Sequence, residues 1–121
     1  MPKSVLITKG EIPVWNKPSA KELSKIPKTY ATEKISPREK IIHMHFFIGG
    51  CDWYVAEYDP KHQIFFGFAI LGNDYQNAEW GYFDLTEMCT IDIDGVEIDR
   101  DLHFEPKKAM EVEKIRRAQG W

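Results

Sequence analysis

The sequence predicts a single α+β domain, an antiparallel meander of four to six strands with a short helix near each end. Three observations lead there. Apolar residues switch at Ile41 to the two-residue period of strands. Four aromatic and β-branched runs then follow one another across short, turn-like connections. The stronger helix signals lie towards the two ends, after Ser19 and after Pro106. A chain of 121 residues holds one core, with residues 1–18 as an irregular arm and 19–121 as the domain.

Gly10, Pro13 and Pro18 break the arm, and Trp15 is expected to pin it to the body. Ser19-Ala20-Lys21-Glu22 has the form of a capping box, followed by Leu23 and Ile26, so a helix of two turns at most ends at Pro27. Residues 27–40 connect it to the sheet. Strands are predicted at Ile41–Ile48, Asp52–Tyr58, Ile64–Leu71 and Glu79–Phe83. Gly49-Gly50-Cys51-Asp52 and Asp59-Pro60-Lys61-His62 turn the chain back, which makes neighbours antiparallel hairpins. Asp84 stands three residues before Glu87 and starts a short helical turn. Ile91 to Ile98 alternates around Asp94-Gly95, the signal of a type I′ hairpin, which also explains Asp92-x-Asp94-Gly95 without a calcium ion. Pro106 opens a last helix that runs to Gln119 and stops at Gly120.

Strict alternation assigns faces, provided that no bulge intervenes. Ile42, Met44, Phe46 and Ile48 share a face with Trp53, Val55 and Glu57, and Ile64, Phe66 and Phe68 continue it. The other face holds His43, His45, Phe47, Tyr54, Ala56, Tyr58 and Phe65. Glu57 therefore points into the core. A buried carboxylate requires a partner, and Arg100 is the one basic residue against ten acidic ones in residues 74–105. A contact between Glu57 and Arg100 is predicted, with Asp101 and His103 beside it as candidates for acid–base chemistry.

Composition excludes several classes. Apolar residues at 43% and charged residues at 29% argue against a disordered chain. The longest apolar run, Ile64 to Gly72, is too short to cross a bilayer, and the amino terminus lacks the apolar core of a secretory signal, so a cytoplasmic chain without membrane contact is expected. Cys51 and Cys89 lack a C-x-x-C partner and read as reduced thiols. Phosphate-cradle, nucleophile-elbow and zincin motifs are missing. His43-x-His45 is the weak candidate for a metal pair, with Asp101, His103 or Glu105 as a third ligand; neither a metal nor another cofactor is expected. The aromatic sheet region carries only Lys61 as a basic residue, which disfavours nucleic acid and points to a protein partner met by aromatic side chains such as Tyr54, Tyr58 and Tyr82.

Five ordered blocks carry a resemblance. Ile26-Pro27-x-x-Tyr30-Ala31-Thr32-Glu33, Trp53 to Pro60, Phe65-Phe66-Gly67, Gly81-Tyr82-Phe83-x-Leu85-x-Glu87 and Ile98-x-Arg100-Asp101-Leu102-His103-Phe104-Glu105-Pro106 together resemble the bacterial domain-of-unknown-function family 2958. Leu6-Ile7-Thr8-Lys9 also fits, ahead of an insertion up to about Ala20. The family pattern often has Lys at the place of His45. The resemblance implies a small product of plasmids, integrated elements or phages with no assigned activity. Two functions are carried forward from this reading: a non-enzymatic protein-binding accessory, in conjugation or in countering host defence, and a small hydrolase-like enzyme with an acidic and histidine site.

Overall fold

The computed structural model describes residues 17–88, 92–93 and 96–121, of which 92–93 and 96–97 by their backbone alone. The arm up to residue 16, with Trp15, lies outside the described residues, as do Cys89 and the Asp94-Gly95 turn.

A five-stranded antiparallel sheet forms the centre. Its meander is β2 (Met44–Ile48), β3 (Cys51–Asp59), β4 (Ile64–Ile70) and β5 (Glu79–Asp84). A further strand, β8 (Asp99–Arg100), pairs with the outer side of β2, giving the order β5-β4-β3-β2-β8. Two small pairs accompany it: β1 (Ile41–Ile42) with β9 (Lys107–Lys108), and β6 (Asp92–Ile93) with β7 (Val96–Glu97). Among the described residues no helix is long and apolar enough to span a membrane.

The local signals are realised closely. Helix α1 (Ala20–Leu23) is closed by both bonds of its capping box: the Glu22 N–H donates to Ser19 Oγ at 3.1 Å and the Ser19 N–H to Glu22 Oε1 at 2.9 Å. Asp84 caps α2 (Leu85–Met88), accepting the Thr86 N–H at 2.7 Å. Gly49 takes φ +53° in the first hairpin, the left-handed region where a side chain is strained. The final helix departs from expectation. Lys107 and Lys108 pair as a strand with Ile42 and Ile41, and a 3-10 turn at Ala109–Glu111 follows. Helix α3 spans only Glu113–Gln119, ending on Gly120 at φ +73°. The backbone after Pro106 is committed to β1, so a helix cannot begin there.

Two irregularities reassign side chains between the faces. The first is a break at His43 between β1 and β2. Ile42 consequently packs with Tyr54, Phe68 and Ile115, on the opposite face from Phe46 and Ile48. The second is a β-bulge at Ala56: Val55 pairs with Gly67 and Glu57 with Phe66, so Ala56 has no opposite residue. Because side chains repeat every two residues, one extra residue inverts everything beyond it. Tyr58 and Phe65 join Phe46, Trp53 and Val55 on the first face, beneath α1 and α2. Glu57 moves to the second face with Phe66 and Phe68, the face covered further along by Val112, just before α3, and by Ile115 of α3. Gly67, beside the bulge, is obligatory in another sense, since a Cβ there would lie 1.8 Å from the Tyr54 carbonyl oxygen.

Candidate functional site

The bulge decides where the candidate site residues go. Glu57 is buried, 3% exposed, as expected, but Arg100 does not meet it. Arg100 lies opposite Phe46 on the first face, and the sheet itself separates it from Glu57. Its guanidinium instead grips Glu22 of α1 in a bidentate pair, at 3.1 and 2.8 Å. That bond, and after it the Ser19 N–H, holds the Glu22 carboxyl down to about 2. Glu22 thus closes the helix cap and anchors α1 to β8 at once.

Glu57 organises the loop that precedes the sheet. Its Oε1 accepts the Tyr30 N–H at 2.9 Å, and its Oε2 accepts the Thr32 N–H at 3.0 Å and the Thr32 hydroxyl. The loop is laid against β3 by the Tyr58 N–H, which donates to Pro27 O at 2.9 Å. Lys40, also buried, completes the network by donating to Thr32 O at 2.5 Å and Thr32 Oγ1 at 3.0 Å. Held this way, Tyr30 adopts φ +72°, a conformation that costs a bulky residue about 1–3 kcal/mol and persists where surroundings enforce it. Its ring is displayed at 66% exposure, beside Tyr82 at 56%. A hydrogen bond from one tyrosine to the other pushes the Tyr82 hydroxyl up, with burial adding to it. The two rings line an open hollow of about 490 Å³ with Asp59, His62 and Ile64. Tyr54 and Tyr58, by contrast, are buried in the sheet, and burial pushes both of their hydroxyls up.

A second hollow, about 530 Å³, gathers Arg100, Asp101 and His103 with His45, Asp52 and Lys114. Glu57 takes no part in it. Asp52 accepts from His45 Nε2 at 2.7 Å and from Lys114 Nζ of α3 at 3.0 Å. Burial raises the Asp52 carboxyl, and these two donors outweigh it, leaving it below its ordinary value. The His45 ring stacks on Tyr54 with centroids 4.4 Å apart, and its Nδ1 is 3.7 Å from Asp101 Oδ2. His103 is exposed; its N–H donates to Asp101 Oδ1 at 3.0 Å. His43 sits in a different hollow with Glu22 and Arg100, where burial lowers its ring nitrogen. Among the described residues no group of three or more His, Cys, Asp and Glu side chains is placed to hold a metal ion.

The pairing of Glu22 with Arg100 and the roles of Tyr30, Thr32, Lys40, Asp52 and Lys114 were not anticipated from the sequence. A model of the family described as "Protein of unknown function (DUF2958)" matches residues 18–119. The chain belongs to that family. In this DUF2958 member the match runs from just before α1 to the end of α3, so the Glu57 network and the three hollows fall inside it. A search of the curated proteins and of the solved structures found no match.

Proposed function

We propose that this DUF2958 protein is a protein-binding accessory of a mobile genetic element, acting in conjugation or against host defence, and that Tyr30 and Tyr82 form its contact surface. One observation carries the reading: a buried carboxylate, Glu57, holds Tyr30 in a left-handed conformation that places its ring, two-thirds exposed, against the exposed Tyr82. Tyrosines are favoured at protein interfaces because they supply large, rigid contact area with a polar tip. Energy spent on strain to expose such a ring fits recognition better than folding. Affinity capture from extracts of the native host tests this. A partner retained by the wild type and lost by Tyr30→Ala and Tyr82→Ala supports the reading; capture indifferent to both substitutions contradicts it.

A second reading, a small hydrolase-like enzyme, is favoured by the hollow that brings Asp101 and His103 together with His45 and Lys114. Metal analysis of the purified protein bears on its metal-dependent form. Stoichiometric zinc or manganese would support it, and a metal-free preparation would leave proton transfer by side chains alone.

A further inference from the structure

The hollow beside β8 contains a histidine whose two nitrogens are treated differently by the fold. Asp52 is 4% exposed at its side chain and receives hydrogen bonds from both His45 Nε2 and Lys114 Nζ. A carboxylate can only accept, so the hydrogen of the neutral imidazole resides on Nε2. The lone pair is then on Nδ1. That nitrogen is 3.7 Å from Asp101 Oδ2, too far for a direct hydrogen bond and suited to a donor placed between the two acceptors. Stacking on Tyr54 and the bond to Asp52 fix the ring plane from two sides.

We propose that His45 is a general base in the hydrolysis of neutral carboxylic esters, oriented by Asp52 and acting on a water held between its Nδ1 and Asp101. The inference rests on the enzymatic reading and names the base and substrate class of that site. Nδ1 takes a proton from the water while its oxygen forms a bond to the ester carbonyl carbon, and the carbonyl π pair moves onto oxygen. Collapse of that oxyanion breaks the ester C–O bond, and the imidazolium returns its proton from Nδ1 to the departing alkoxide. An acid and an alcohol leave, and His45 is again neutral. Lys114 lines the same hollow as a cation for the developing oxyanion. A phosphate ester is the wrong class, because Asp52, Asp99 and Asp101 outnumber Arg100 and Lys114 around the hollow and repel a charged phosphate. Phe47 and Leu102, both partly exposed, offer apolar contact to the ester's carbon chain.

The test uses the full chain and p-nitrophenyl acetate, with imidazole at equal concentration as the reference for unassisted histidine chemistry. The wild type is expected to exceed imidazole, His45→Gln to lose about 100-fold or more, and His62→Gln, on the exposed β3–β4 turn, to stay within about twofold. Hydrolysis that survives His45→Gln but falls in Asp101→Asn overturns the role of His45 and leaves the enzymatic reading standing. A wild type no faster than imidazole overturns both. Should His45→Gln fail to fold, long-range ¹H–¹⁵N spectra of the wild type decide: a hydrogen on Nε2 of His45 is expected, and a hydrogen on Nδ1 of the neutral ring overturns the proposal.

Discussion

Replacing Glu57 by alanine removes one carboxylate from three donors at once. The Tyr30 and Thr32 N–H groups and the Thr32 hydroxyl all converge on it, and the site is 3% exposed. A hydrogen bond to a charged group contributes about 1.5–3 kcal/mol, and removing one partner of a buried ionic network costs about 3–5 kcal/mol. The three bonds share one acceptor and are not additive, so about 3–5 kcal/mol is the expected loss. Against a total stability of about 5–15 kcal/mol this is a large fraction, and urea midpoints should fall by about 2 M. Glu57→Gln separates shape from charge. Each carboxylate oxygen has its own donors, so an amide nitrogen in either place confronts an N–H or a hydroxyl, at a cost of about 1–3 kcal/mol. Equilibrium urea denaturation measures both. A Glu57→Ala midpoint within about 0.3 M of wild type would refute the reasoning, since it would mean that the loop needs no internal acceptor.

The sheet separates Glu57 from Arg100, so Glu57→Ala and Arg100→Ala should add within about 0.5 kcal/mol in a double-mutant cycle, whereas Glu22→Ala and Arg100→Ala should couple measurably. Glu22 is held at about 2, below its ordinary 4.5, so its contribution is complete above pH 4.5 and is lost as pH falls from there towards 2. With Glu22 43% exposed, solvent limits that contribution to about 1 kcal/mol, and acid titration of stability should be correspondingly shallower in Arg100→Ala. Gly67→Ala places a methyl group 1.8 Å from the Tyr54 carbonyl oxygen and should cost about 2–3 kcal/mol or more in thermal denaturation, because the clash is with backbone inside the sheet.

What the sequence made legible is what depends on neighbours. Ser19 and Glu22, Asp84, and the two hairpin turns act over two to four residues, and they stand where their chemistry placed them. The meander followed from them. The burial of Glu57 was legible too, but its partner was not. Nothing in Trp53-Tyr54-Val55-Ala56-Glu57-Tyr58 marks Ala56 as a bulge, and that one residue moved Glu57 across the sheet from Arg100. The Glu22–Arg100 pair joins positions 78 apart, and the Lys114–Asp52 bond joins positions 62 apart, distances over which a single sequence carries no contact signal. Pro106 misled for a related reason: its helix-starting tendency was overruled by the pairing of Lys107 and Lys108 with Ile42 and Ile41.

Amide hydrogen exchange at Tyr30 and Thr32 tests the central claim, that Glu57 holds the tyrosine-bearing loop in place. In the wild type both N–H groups should be protected, and in Glu57→Gln at least one should lose protection while the amides of β3 and β4 keep theirs. Unprotected Tyr30 and Thr32 amides in the wild type, or protection unchanged by the substitution, would contradict it.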